Sequence, residues 1–231
     1  MKYNIQNQEI ELELSNKVFS PSLHGSSALG ENIKINEGES VLDMGAGTGL
    51  LAILATKLGG RVTAIDILSE AVELSQKNSE RNKVSIEIRA GNLFEPVRGE
   101  KFDVIIANIP QENLSPKIIE SLSKEAVTGM HGGKNGNELL LKVLKSAPNF
   151  MHSGSRLYIV VYSMSSFRES LKLMLENYRA KLINFHSGPV KDFLYDDVSW
   201  YEKQSENGLI GIYKKSDKYY ADLFVFELSL R

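Results

Sequence analysis

No cysteine occurs in the 231 residues, which removes disulfides, thiolate nucleophiles and thiolate metal sites together. Nor is there an excess of one charge. Lysine and arginine total 27 against 29 acidic residues, a net charge of −2 at pH 7, so no global field draws the chain onto phosphates or anionic lipid. A nucleic-acid partner is not favoured on that ground. No apolar run approaches the roughly 20 residues that span a bilayer, and the opening MKYNIQNQEIELEL lacks the basic-then-apolar layout of a signal peptide. The expectation is a soluble, cytoplasmic protein with no membrane partner. Repeats and low-complexity stretches are missing too. The four histidines, His24, His131, His152 and His186, include no pair at helical i, i+4 spacing, and no metal is expected.

What is present is an alternation of short apolar runs with longer segments of helical period. That is the pattern of a mostly parallel sheet covered by helices on both faces, an α/β chain. The runs SVLDM (40–44), RVTAID (61–66), VSIEI (84–88), FDVIIAN (102–108) and SRLYIVVY (155–162) read as strands. KLINF (181–185) and ADLFVFEL (221–228) add two more, with no helix expected between them, so the last pair can be antiparallel. Helices are expected over 51–58, from a cap at Ser69, over Leu140, Val143, Leu144 and Ala147 until Pro148, and over 166–178. Residues 1–36 and 187–220 fall outside the alternation and read as loops over the strand ends. In open α/β sheets the ligand crevice lies there, so these loops are expected either to shape substrate access or to decorate the surface. The chain is treated as one domain: an N-terminal strand and covering segment over 1–36, then a catalytic domain over 37–231 with 187–220 as an inserted loop and candidate lid.

The stretch VLDMGAGTGLLAI (41–53) forces a tight turn between a strand and a helix, where glycines permit positive φ and let backbone amides approach a ligand. The dinucleotide fingerprint GxGxxG/A is incomplete, because Leu50 stands at its last position; the spacing is D-x-G-x-G-x-G. A carboxylate at Asp43 would repel a pyrophosphate but tolerate a ligand bearing an amino group and a sulfonium. Asp66, ending the second strand, can hold both hydroxyls of a ribose in either case. A nicotinamide oxidoreductase is therefore the weaker reading.

DMGAGTG, AID (64–66), AGNLF (90–94) and FDVIIAN occur in order at strand ends, and together they resemble the class I methyltransferases that use S-adenosylmethionine. The resemblance runs from about Val18 to Tyr162, and the paired final strands are similar to that family's reversed seventh strand. It implies a Rossmann-like, seven-stranded sheet with S-adenosylmethionine as cofactor. It also implies that Asp43 and the Gly45, Ala46, Gly47, Gly49 turn face the methionine part, that Asp66 takes the ribose, and that Ile67 packs on the adenine. Asn92 and Leu93 would border the adenine edge. Many members carry aspartate where this chain has Asn92, whose carbonyl can still accept from an amino group.

NIPQ (Asn108, Ile109, Pro110, Gln111), ending the fourth strand, resembles the Asn-Pro-Pro-Tyr site of the branch that methylates planar nitrogens, the release-factor glutamine methyltransferases among them. An amide nitrogen has its lone pair delocalised, so carbonyls must grip its N–H groups and aim it at the methyl group. Asn108 and the Ile109 carbonyl would do so, with Pro110 stiffening the turn. Ile109 and Gln111 replace a proline and an aromatic, which disfavours base stacking. Gly132, Gly133 and Gly136 are similar to the glycines that follow the motif in that branch. VFSPSLHGSSAL is similar to its cofactor-approaching segment, bringing in Pro21, His24 and Ser26. IPQ also resembles plant methionine S-methyltransferases, and ribosomal-protein methyltransferases carry a similar Asn-Ile pair. The acceptor thus stays open between a protein glutamine or other nitrogen and a small-molecule thioether. His24 is the best-placed base if one is needed, and His152 is expected to be structural. Tyr195, Trp200 and Tyr201 form either an aromatic lid or a small satellite core. The rival class is a cofactor-binding partner subunit without activity.

Overall fold

The computed structural model describes residues 1–21 and 25–231. Its first element is a hairpin of β1 (Lys2–Ile5) and β2 (Gln8–Glu11). Gln6 and Asn7 between them hold φ of 50° and 60°, the left-handed pair that lets a two-residue turn match strand twist. The main sheet takes β3 (Ser40–Met44), β4 (Arg61–Asp66), β5 (Glu87–Ala90), β6 (Phe102–Ala107), β7 (Met151–Tyr162), β8 (Tyr178–Pro189), the short β9 (Ile212–Lys215) and β10 (Lys218–Leu230). Its order is β5-β4-β3-β6-β7-β10-β8, with β9 attached to β10. Strands β3 to β7 run parallel; β10 is antiparallel to both β7 and β8. The chain moves outward from β3 through β4 to β5, then returns to β6 on the other side. The crevice of such a sheet opens at that switch, beyond the carboxyl ends of β3 and β6.

The helices are α1 (Ser26–Gly30), α2 (Leu50–Lys57), α3 (Ser69–Arg81), α4 (Pro116–Ser121), α5 (Lys124–Met130), α6 (Glu138–Ser146), α7 (Phe167–Asn177) and α8 (Val198–Glu206). Strand periodicity divides the core in two. Val41, Val62, Ala64, Val104 and Ile106 join α2 on one side, and the hairpin residues Tyr3, Ile5, Ile10 and Leu12 pack over the same helix. Leu42, Met44, Ile65, Ile105 and Ala107 join Leu140, Val143 and Leu144 of α6 on the other. Central strands buried on both faces explain why their sequences read as continuous apolar runs. Each Val, Leu, Ile or Met among them contributes about 1.5–3 kcal/mol by leaving water.

Four expectations change. Strand β5 begins three residues late, because Lys83 at φ 56° and the Val84 N–H on the Ser79 carbonyl are still closing the end of α3. Ser69 does not cap α3; the cap position is Leu68, whose N–H goes to Asp66 Oδ1. Residues 1–36 are not chiefly loop over the strand ends, since the hairpin covers α2. The 187–220 stretch holds a 3₁₀ turn, α8 and β9, so a helix does lie between β8 and β10. Its Val190, Leu194, Tyr201 and Ile210 bury against Leu114, Ile118, Met130 and Met164. Tyr201 is 2% exposed, and its hydroxyl accepts the Ser115 N–H. The satellite core is the reading that holds for Tyr201.

Candidate active site

Where β3 ends, the chain turns through Gly45, Ala46, Gly47 and Gly49 into α2. The Gly45 and Ala46 N–H groups donate to the Ile65 carbonyl at 2.8 and 2.9 Å, pinning the turn to β4. Glycine is required at two points for different reasons. At Gly49 (φ 83°) a Cβ would lie 3.1 Å from the Ser75 Cβ, so a side chain would push α3 away from the turn. At Gly47 (φ 54°) a Cβ would meet nothing nearer than the Gly45 oxygen at 4.0 Å. Its open side faces a cavity of about 310 Å³ lined also by Ile65, Asp66, Ile67, Asn92 and Leu93.

Asp66 holds this end of the turn: Oδ2 accepts the Gly47 N–H at 2.8 Å and Oδ1 the Leu68 N–H at 3.0 Å. Burial raises its carboxyl above the ordinary range, and those N–H groups pull the other way. Ile67 is 60% exposed and lines the cavity, leaving an apolar surface uncovered there. Leu93 sits at φ 48°, a conformation uncommon for a branched residue, beside exposed Asn92.

Asp43 departs from its expected place. It is 1% exposed and is not among the residues lining the cavity; it lies at the root of the glycine turn, with neither carboxylate oxygen hydrogen-bonded among the described residues. Burial pushes its pKa up to about 7, and the negative charge of Asp66 acts in the same direction. The native state therefore holds a proton that the unfolded chain releases near its ordinary value of 3.8. The stability so contributed is present below that value and is lost as pH rises through about 7. At about 1.4 kcal/mol per pH unit the loss reaches at most roughly 4 kcal/mol. We expect Asp43→Asn to melt above the wild type at pH 8 and to converge with it toward pH 4 in the absence of ligand; equal midpoints at pH 8 would contradict this.

A second cavity, of about 290 Å³, adjoins the first, and Phe19, Ser26, Asn108, Ile109, Pro110 and Gly129 border both. Asn108 is half-buried at the end of β6, and its Nδ2 donates to Ser26 Oγ at 3.0 Å. Ser26 thereby fixes the amide and leaves Oδ1 available for another donor. Gln111 lines the second cavity, but it is buried, its Nε2 donates to the Val160 carbonyl at 2.8 Å and its Oε1 accepts the Tyr162 N–H at 3.2 Å. Both ends of the side chain are spent joining NIPQ to β7. The glycines after α5 clamp the same segment. The Gly132 N–H reaches the Glu112 carbonyl at 3.1 Å, and a Cβ on Gly136 would approach the Asn113 nitrogen and the Gln111 oxygen at 2.8 Å.

Of the histidines, His24 lies outside the described residues. His152 pairs with Asp103 at 2.9 Å, a structural contact. His131, unassigned from the sequence, lines the first cavity with Nδ1 3.2 Å from the Glu112 carbonyl. Tyr195 and Trp200 are not among the lining residues of either of these two cavities. Glu112 and Lys191, both on the second cavity, were missed as well.

The first cavity fits S-adenosylmethionine better than a pyrophosphate cofactor. Its turn carries no side chain at Gly47, and the acids near it, Asp66 on the wall and Asp43 beneath, suit a cation. Residues 9–133 match the methyltransferase small domain family. The "Putative protein N5-glutamine methyltransferase" of Methanocaldococcus jannaschii is 32% identical over 168 residues, 72% of this chain and 83% of that protein. A ribosomal protein L11 methyltransferase of Thermotoga maritima is 40% identical over 91 residues, 39% of this chain but 34% of that protein. The chain thus matches about a third of the length of that relative. Among solved structures, the T. thermophilus 16S rRNA N2 methyltransferase in complex with AdoMet and guanosine superposes with a TM-score of 0.60 at 17% identity, covering 100% of this chain and 50% of that one. A methyltransferase from Pyrococcus furiosus gives 0.54 at 18% identity, over 94% and 88% of the two chains. These two likenesses bear on the fold. Turn, cavity and sequence relatives converge: the chain belongs to the methyltransferase small domain family and is an S-adenosylmethionine-dependent methyltransferase.

Proposed function

We propose that this methyltransferase acts on an amide or amine nitrogen held by Asn108 at the junction of the two cavities. The observation that carries the reading is Asn108 itself: it borders both cavities, and Ser26 holds its Nδ2 so that Oδ1 is presented. The glutamine named for the Methanocaldococcus jannaschii relative supports the same acceptor chemistry.

The cofactor supplies an electrophilic methyl group on a sulfonium. Gly45, Ala46, Gly47 and Gly49 would back its methionine part, and Asp66 would accept from the ribose hydroxyls. Ile67 would cover the adenine face, with Asn92 and Leu93 at its edge. Asp43, which holds a proton in the ligand-free protein, lies beneath, where a cationic cofactor would favour its charged form. In the acceptor cavity Oδ1 of Asn108 and the Ile109 carbonyl receive the two N–H groups of the acceptor and turn its lone pair toward the methyl group. Pro110 stiffens that turn. Buried Ile109 lowers the local polarity beside the carbonyls, which strengthens their dipoles on the charge that develops at nitrogen. As the C–N bond forms the C–S bond breaks, the sulfonium leaves as a neutral thioether and the nitrogen becomes cationic; it loses one proton to solvent water as the product departs, and until then the carbonyls hold its N–H groups.

Two substitutions test these roles. Asp66→Ala should weaken cofactor binding by about 1.5–3 kcal/mol, the range for hydrogen bonds to a charged group; unchanged affinity by calorimetry would place the ribose elsewhere. Asn108→Asp keeps an acceptor at the junction, so it should retain part of its single-turnover activity toward an amide or amine. A thioether offers no N–H to grip and becomes cationic, so there the added carboxylate would assist. Faster transfer to thioethers than to nitrogen acceptors in the wild type would reject the nitrogen reading.

A further inference from the structure

The second cavity contains an ion pair that the transfer step leaves without a role. Glu112, directly after NIPQ, is 7% exposed, and Lys191, two residues beyond β8, donates to its Oε1. Both line the cavity, whose other walls include Phe19, Met130, Val160 and Leu223. The pair is incomplete at both ends. Oε2 of Glu112 is buried with no hydrogen-bond partner among the described residues. Nζ of Lys191 otherwise faces the Met130 sulfur at 3.5 Å and the Phe19 and Phe193 rings at 4.4 and 5.8 Å, none of them an anion.

Stability gives a poor reason for such a pair, because desolvating two charges offsets most of their attraction, and an orphaned carboxylate oxygen adds a further cost. Burial raises the Glu112 carboxyl while Lys191 opposes that rise. Each ion also selects against a singly charged visitor. A lone cation at Oε2 would stand beside Lys191, and a lone anion at Nζ would stand beside Glu112. A ligand carrying both signs on neighbouring atoms complements both open positions at once. The volume, about 290 Å³, falls at the small end of ligand clefts, which suits a metabolite.

We propose that Glu112 and Lys191 bind the head group of a free α-amino acid, its ammonium on Glu112 Oε2 and its carboxylate on Lys191 Nζ, with its side chain directed toward Asn108. This rests on the second cavity being the acceptor cavity. It names the acceptor class as a small zwitterion and makes these two residues its specificity determinants.

The test is a binding measurement without turnover. Protein loaded with S-adenosylhomocysteine is titrated calorimetrically with L-glutamine, L-methionine and L-norvaline, each free, N-acetylated and as the methyl ester. Free forms should bind, and either cap should weaken binding by about tenfold or more, as loss of a hydrogen bond to a charged group implies. In Glu112→Gln the N-acetyl penalty should shrink to about threefold or less, and in Lys191→Met the ester penalty should do the same. A purely structural pair would not match cap to variant. Capped and free forms binding the wild type alike, or no free form binding it, overturns the proposal. The wild-type comparison stands even if Glu112→Gln fails to fold. Failure of the nitrogen reading is seen separately: an amino acid that binds as described but is methylated on sulfur would end that reading and keep the head-group assignment.

Discussion

Gly47→Val should abolish measurable cofactor binding, weakening it by about 100-fold or more, the equivalent of roughly 2.7 kcal/mol. At φ 54° a β-branched residue is badly placed, and the position tolerates it poorly for that reason alone. The strain, of order 1–3 kcal/mol, is smaller than the stability of most domains. Apart from its chain neighbours, no atom of the described residues lies within 4 Å of the new Cβ except the Gly45 oxygen at 4.0 Å, so the core is not overpacked. The isopropyl group would instead enter the cavity proposed for the cofactor. Circular dichroism should report a folded chain and calorimetry no binding; a folded variant with wild-type affinity would remove the glycine turn from the cofactor site.

Asn108→Ala should lower kcat by roughly 10² to 10³, the loss seen when one preorganised polar contact to developing charge is deleted, and should leave cofactor affinity nearly unchanged. The separation of the two effects follows from position. Asn108 borders the first cavity only at the edge it shares with the second, whereas Asp66 and the glycine turn lie within the first. Deleting the amide also leaves Ser26 Oγ without the Nδ2 donor. Wild-type rates in Asn108→Ala would exclude this residue from the chemistry and turn the search for the acceptor contact toward His131 or the segment around His24.

The central strands were legible because burial on both faces writes itself as apolar runs, and α6 because Leu140, Val143 and Leu144 keep one helical stripe. The glycine turn was legible for a backbone reason: glycine adopts those positive φ values at the least steric cost. Residues 187–220 hid their helix because α8 buries Tyr201 alone against a satellite core built from distant segments, leaving no periodic stripe to read. The part Gln111 plays was not legible, since its side chain is bonded to the Val160 and Tyr162 backbone, about 50 residues onward. Asp43 was found at the root of the turn instead of on the cavity wall because neighbouring strand residues alternate sides. Glu112 and Lys191 lie 79 positions apart, a separation at which no local spacing signals a pair.

The most direct test of nitrogen methylation at Asn108 is the fate of a ¹³C-methyl group carried by the cofactor in single-turnover reactions of wild type and Asn108→Ala. The acceptors are a glutamine-containing peptide, the free amino acids named above, and a panel of amine and thioether metabolites, with the product bond assigned by NMR. The label is expected on nitrogen, with its rate of appearance falling by roughly 10² or more in Asn108→Ala. A label on sulfur, formed at a rate that Asn108→Ala does not change, would contradict it.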